Sequence, residues 1–342
     1  MTLELFFYII LCYFTLTFAY KESKFSSIEP PLRKILAFII GVIWFVIVRL
    51  SGFDIDINTY VEYLDDNIQL LLIMDSFYFL REFIFWGSFM GGYIILQDKI
   101  LILLLIDTIV LYFLIKTIIN FRLPFYSFFL LLCFFPNLMG YENVYRQYIA
   151  TILTLYSVSL AYKNSFFLRT NEFKSYIFII IAGFCHNVAF LFFPLLFFLK
   201  ERVKFGIFLS LVIYMALPIL SSSKSEGETG DVPVEYFLAV TILLYIIYLM
   251  INSFKLLKVN IYILSFIFIL ITESIIVLTG VASKRIIMFA LDIILIFIII
   301  SLQNSNFNLK SYRLIVFLLC LSMLAPTFLS NSAFQMLLTA NK

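Results

Sequence analysis

Four short stretches of this chain bring together residue types that could do chemistry. "RLSGFDIDINTY", residues 49–60, carries Arg49, Asp54, Asp56 and Tyr60; "MGYENVYRQYIATI", residues 139–152, carries Arg146; "GFCHN", residues 183–187, holds the single histidine, His186; and Lys284 stands beside Arg285. Arginine presents a planar fork of donors that stays charged at any physiological pH, which suits bidentate binding of a phosphate or diphosphate. Histidine is the side chain whose ordinary pKa lies near neutrality, so His186 is a candidate to accept a proton from a sugar hydroxyl. Two carboxylates spaced as Asp54 and Asp56 could hold a divalent metal, or one of them could act as a base or orient an acceptor. Each stretch also has a plainer use. Arg146 is spaced for a pair with Glu142 one turn earlier, Lys284 and Arg285 could simply snorkel at a helix end, and the acidic stretch could be a solvated loop.

The segments that must position these groups are apolar. Of 342 residues, 63% are hydrophobic and 13% charged, against about 25% charged in a soluble domain. Apolar runs of roughly 15–21 residues recur along the whole chain, enough to cross a hydrocarbon core of ~30 Å. Lipid offers no partners to backbone N–H and C=O groups, and the runs lack the alternation of strands, so they must close their hydrogen bonds as α-helices. The expectation is one all-α integral membrane bundle spanning 1–342. The first run has no basic leader and carries Glu4, which reads as a retained anchor and not a cleaved signal. Cys12, Cys133, Cys185 and Cys320 lie inside apolar runs without ligand-like spacing, so neither a zinc site nor a disulfide framework is indicated.

Spans are expected at 3–20, 33–50, 100–116, 124–139, 147–162, 204–220, 236–252, 260–280, 286–302 and 314–329. Two further segments, 77–97 and 174–199, are ambiguous. The second is too short for two crossings and long for one: it is either a single tilted helix or two half-helices with His186 at the turn. Parity couples the two segments, so the chain crosses ten times or twelve. The positive-inside rule favours ten, because the loops with Lys116 and Arg122, and with Lys163, Arg169 and Lys174, are then cytoplasmic.

With ten crossings the loops 51–82 and 221–235 are external and both termini lie outside. Arg49, Arg146, Lys284 and Arg285 then face outward, against the usual charge bias, which by default marks a functional site. Such a ring of cations near membrane level would receive an anionic headgroup whose tail stays in lipid, as in a polyprenyl diphosphate. The loop 221–235 could act as a lid or a linker, and Gly87 with Gly91 form a G-x-x-x-G pattern that usually marks helix packing.

"RLSGFD" followed by Tyr60, then "RQYIA" (Arg146, Gln147, Ala150), then "FCHNVA" before Pro194, resembles in order and topology the EpsG-like family of Wzy-type O-antigen and exopolysaccharide polymerases. Val188 stands where that family is expected to place Ser or Thr, and Ile286 where an aromatic often follows the C-terminal arginine. The resemblance implies an inverting, metal-independent glycosyltransferase of the bacterial inner membrane, active on the periplasmic face and needing no cofactor. It would move a growing glycan from undecaprenyl diphosphate to a hydroxyl of the next lipid-linked repeat unit. Its partners would be that lipid-linked oligosaccharide, as donor and acceptor, the bilayer and a chain-length regulator, with no nucleic acid. Arg146, with Arg49 and Arg285, would then bind the diphosphate; His186 or Asp54 would act as base or orient the acceptor; Tyr60, Tyr141 and Tyr145 would stack on sugar faces; and Gln147 would contact substrate.

Two rival readings stay open. One is a metal-dependent transferase using a polyprenyl-phosphate sugar, with Asp54 and Asp56 as ligands. The other is a lipid-linked oligosaccharide flippase or other transporter, for which Asp107, Glu273 and Asp292 inside apolar runs could matter, although internal repeats and cations along mid-helix positions are missing.

Overall fold

The computed structural model describes residues 2–23, 28, 30–53, 55–66, 82–163, 170–221, 234–251, 258–278 and 280–338. The external loops expected at 51–82 and 221–235 fall largely outside these, and so does Asp54. Among the described residues sixteen α-helices follow in order: α1 (Leu3–Lys21), α2 (Pro31–Leu50), α3 (Ile55–Asp66), α4 (Phe83–Leu96), α5 (Lys99–Phe121), α6 (Tyr126–Cys133), α7 (Phe135–Glu142), α8 (Tyr145–Lys163), α9 (Thr170–Cys185), α10 (Pro194–Leu199), α11 (Val203–Ser221), α12 (Val234–Ile251), α13 (Lys258–Val277), α14 (Gly280–Gln303), α15 (Leu309–Leu329) and α16 (Asn331–Leu338). No strand occurs among the described residues, and the chain is an all-α polytopic membrane bundle.

Local chemistry sets the ends. Thr2 caps α1 by accepting from Leu5 N, and Asp98 caps α5 by accepting from Leu101 N at 2.8 Å, each satisfying an orphan N–H of the first turn. Gln97 and Arg122, both left-handed (φ 52° and 56°), close α4 and α5.

Among the described residues, six helices are long and apolar enough to cross a membrane: α1, α2, α5, α12, α14 and α15. They carry six of the ten expected spans. The spans expected at 204–220, 260–280 and 147–162 are carried by α11, α13 and α8. α14 is the axis of the bundle, apolar on every side and buried from Ile286 to Gln303. Elsewhere the apolar surface divides into two faces. On α5, Leu101, Leu105, Ile109 and Tyr112 are exposed while Ile102, Ile106, Val110 and Leu114 are buried, a lipid-facing row beside a packed one. Without a hydrophobic force between helices in lipid, close approach decides the contacts. A Cβ on Gly41 of α2 would lie 2.6 Å from Leu111, so this glycine lets α2 and α5 meet. Gly87 and Gly91 do not play that part: a Cβ on either meets nothing within 4 Å, and the close approach on α4 is Gly92 against Ile102.

The span expected at 124–139 is not one helix. Phe134 is extended (φ −65°, ψ 129°) and Pro136 starts α7, whose interior could not have held a proline without losing a hydrogen bond. The carbonyls freed at the end of α6 need partners inside the membrane. Asn137 Nδ2 donates to Leu131 O (3.0 Å), the Tyr141 hydroxyl donates to Leu132 O (3.1 Å), and the Tyr8 hydroxyl donates to Cys133 O (2.8 Å). The same Asn137 amide donates to Asp292 Oδ1 at 2.9 Å, tying the break to the central helix.

The ambiguous segment 174–199 folds back on itself. α9 ends at Cys185, His186 is extended (φ −156°, ψ 119°), and a 3-10 turn, Asn187–Phe192, leads into α10. Tyr176 stands against Phe193 (5.9 Å between ring centroids) and Phe197 (5.6 Å), with Lys200 Nζ 4.5 Å from its ring. A continuous helix would hold Tyr176 and Phe197 about 31 Å apart at 1.5 Å per residue. Tyr176, ten residues before position 186, meets residues seven to fourteen after it, so this is a helical hairpin with His186 at its tip. It returns the chain to the end it left, as the ten-crossing topology requires. The Ser157 hydroxyl donates to Ser175 O at 2.6 Å and fastens the hairpin to α8.

The tip closes because Gly183 has no side chain. A Cβ there would lie 2.3–2.4 Å from three ring carbons of Phe190. Gly183→Val is therefore expected to push Phe190 away and destabilise the protein by about 1–3 kcal/mol, read as a lower midpoint of thermal unfolding in detergent. An unchanged midpoint would show that Phe190 does not close over Gly183.

Candidate functional site

Residues from four elements converge on one small open cleft, lined by Asp56 and Tyr60 of α3, Val144, Arg146 and Gln147 at the start of α8, His186 at the hairpin tip, and Arg285 near the start of α14. Of the residues singled out in the sequence, Tyr60, Arg146, Gln147, His186 and Arg285 are thereby brought together. They are separated by up to 225 positions, and it is the hairpin and the central helix that bring the last two to the first three.

Arg146 is built into the wall. Its Nη1 makes an ion pair with Glu82, 64 residues away, and its Nε donates to the Tyr60 hydroxyl at 3.2 Å. The guanidinium also lies 5.0 Å from the Tyr60 ring centroid and 5.7 Å from that of Trp86, contacts worth about 0.5–2 kcal/mol each when shielded from water. The ion-pair partner is thus Glu82 and not the Glu142 of the neighbouring turn. Arg285 contrasts with it: among the described residues its guanidinium has no ion-pair partner, and its backbone carbonyl accepts from Gln147 Nε2 at 3.1 Å. One guanidinium is therefore held in place and the other is uncommitted.

Arg49 and Tyr145 are placed differently from the expectation that they touch substrate. Arg49 is 2% exposed and forms a bidentate pair with Asp107 (Nε–Oδ2 2.7 Å, Nη2–Oδ1 3.0 Å), while its Nη1 donates to Tyr141 O at 3.0 Å. The Tyr145 hydroxyl donates to Asp107 Oδ1 at 2.9 Å, and the Tyr145 ring lies 4.7 Å from the guanidinium carbon of Arg49. Tyr141 is also fully buried, packed edge-on to Trp44, Phe45 and Tyr148. The reason is Asp107: an acid in mid-membrane must find a cation, and Arg49 is the one it finds. The cluster joins α2, α5, α7 and α8 behind the cleft and sets the first turn of α8, from which Arg146 and Gln147 project.

Asp56, one of the two carboxylates singled out in the sequence, reaches the site, whereas Glu82 and Asp107 were not singled out for it. Asp56 lines the cleft, whereas Asp54, the preferred member of that pair, lies outside the described residues. Glu82 and Asp107 supply the charges that hold the two arginines. Asp107 could have been suspected as an acid within an apolar run; Glu82 had no such signal. Among the described residues no three His, Cys, Asp or Glu side chains cluster as metal ligands, and the four cysteines are free and buried.

Chemically, the cleft offers two guanidinium groups for an anion, an imidazole and a carboxylate for proton transfer, and a tyrosine ring at its wall. Compared with family models, curated proteins and solved structures, the chain matches none, so the reading of this cleft rests on its own geometry.

Proposed function

We propose that this protein is a polysaccharide polymerase of the Wzy type, similar to the EpsG-like family, that transfers a glycan from undecaprenyl diphosphate to a hydroxyl of another lipid-linked repeat unit. The observation that carries the reading is the meeting of Arg146, Arg285, His186 and Asp56 in one cleft at the end of a membrane bundle. The acceptor oxygen attacks the anomeric carbon, the bond from that carbon to the diphosphate breaks, and the diphosphate leaves with the electron pair. Arg285 and Arg146 stabilise the charge that develops on it, the kind of preorganised electrostatic contribution that dominates many such sites. His186 takes the hydroxyl proton, with Asp56 in the same cleft to orient the acceptor or the imidazolium. The polyprenyl tail remains in lipid, and the cleft opens to the periplasmic side of the bacterial inner membrane. A metal-dependent transferase using Asp56 and Asp54 is the second reading, favoured by the position of Asp56.

Purified protein in detergent, given a defined undecaprenyl diphosphate repeat unit, is expected to yield a ladder of longer lipid-linked glycans that survives EDTA. His186→Ala is expected to slow its formation about 10²–10⁴-fold without changing the unfolding midpoint. A ladder lost with EDTA moves the assignment to the metal-dependent enzyme. Folded protein that gives no ladder with a matched substrate moves it to a transporter.

A further inference from the structure

Gln147 is 1% exposed and lines the cleft between Arg146 and Arg285. Its amide nitrogen is fixed from two sides, donating to Arg285 O at 3.1 Å and lying 3.4 Å from Met288 Sδ. Both of those atoms can only accept, so the nitrogen must face α14 and the oxygen must face the other way. That oxygen, Oε1, is buried and has no hydrogen-bond partner among the described residues. The backbone of Gln147 is also committed, its carbonyl accepting from the Thr151 hydroxyl at 2.9 Å, so the side chain is presented from a settled helical turn.

A buried acceptor without a donor is costly, and a site that carries one is completed by a water or by a ligand that brings the donor. The charge of the surroundings narrows the class of donor. Arg285, without an ion-pair partner among the described residues, disfavours a second cation beside it, and an ionised phosphate has no proton to give. What remains is a neutral O–H or N–H close to an anion. We infer that Gln147 Oε1 reads a hydroxyl or amide N–H on the sugar bonded directly to the diphosphate, so that the cleft distinguishes a sugar-bearing lipid diphosphate from the bare lipid diphosphate. This rests on the polymerase reading for the identity of the anion, and it adds a specificity-determining contact: the guanidinium groups hold the leaving group, while Gln147 checks that a glycan is attached to it. Such a contact would favour loaded donor over the undecaprenyl diphosphate released after each transfer, which the arginines alone could not tell apart.

The test is equilibrium binding to the full-length protein in nanodiscs, with undecaprenyl diphosphate and undecaprenyl diphosphate-linked N-acetylglucosamine as the two probes. The wild-type protein is expected to bind the sugar-bearing lipid about tenfold more tightly or better, the effect of one satisfied buried acceptor. Gln147→Met, similar in length and apolar, is expected to bind both lipids equally, its folding checked by the midpoint of thermal unfolding in detergent. Gln147→Asn, which withdraws the amide by one methylene, is expected to show a reduced preference. Equal binding of the two lipids by the wild-type protein, or a preference that survives in Gln147→Met, overturns the role of Gln147 and leaves the anion site standing. Failure of folded wild-type protein to bind either lipid overturns the polymerase reading itself.

Discussion

Asp107→Ala is expected to destabilise the bundle by about 3–5 kcal/mol, the cost of leaving a buried cation without its partner. Arg49 has no route to water: it is 2% exposed, and three of its donors are already directed at Asp107 and Tyr141 O. Removing the carboxylate also frees the Tyr145 hydroxyl, which donates to the same Asp107. The loss should appear as a lower unfolding midpoint in detergent and as reduced insertion in cells. Arg49→Met combined with Asp107→Leu is expected to recover much of it, because an apolar pair of similar volume leaves no charge buried alone. A double-mutant cycle on these two positions measures the coupling. If Asp107→Ala alone leaves the midpoint unchanged, the cluster does not hold the four helices together.

The second large effect concerns Arg146. Arg146→Ala is expected to lower the rate of polymer formation by at least about 10²–10³-fold, the usual consequence of removing one preorganised donor to a developing negative charge. Arg146→Lys is expected to rescue little of it. The guanidinium engages Glu82 through Nη1 and Tyr60 through Nε in one fixed fork; a lysine ammonium is a compact charge without that fork. The readout is the glycan ladder at matched amounts of inserted protein. Normal polymer from Arg146→Ala would remove the diphosphate assignment, and full activity in Arg146→Lys would reduce its role to charge alone.

The two arginines thus differ in kind, although they look alike in sequence. Each sits at the end of an apolar run, on the side where the loops carry few cations. In the fold, one is sealed in a cluster behind the cleft and the other forms its wall. Asp56, one of two carboxylates that the spacing alone does not distinguish, lines the cleft.

The class of the molecule, its all-α character and the positions of its apolar segments are legible in the residues alone, because a backbone in lipid has few ways to satisfy its hydrogen bonds. The odd length of 174–199 and the polar residues at its middle also announce two half-helices or a tilted one, and Gly183 is the residue that lets them close. The break at Phe134 is not legible in the hydropathy, which reads 124–139 as one span, and the side chains that cap the freed carbonyls come from α1 and α7. What only the tertiary structure decides is partnership. Arg49 lies 58 residues from Asp107 and Arg146 lies 64 residues from Glu82. Hydropathy places each charge at a depth in the membrane, but depth does not say which helices are neighbours. That is settled by close packing of small and large side chains across the bundle, and once it is settled a buried charge pairs with whatever opposite charge stands within reach.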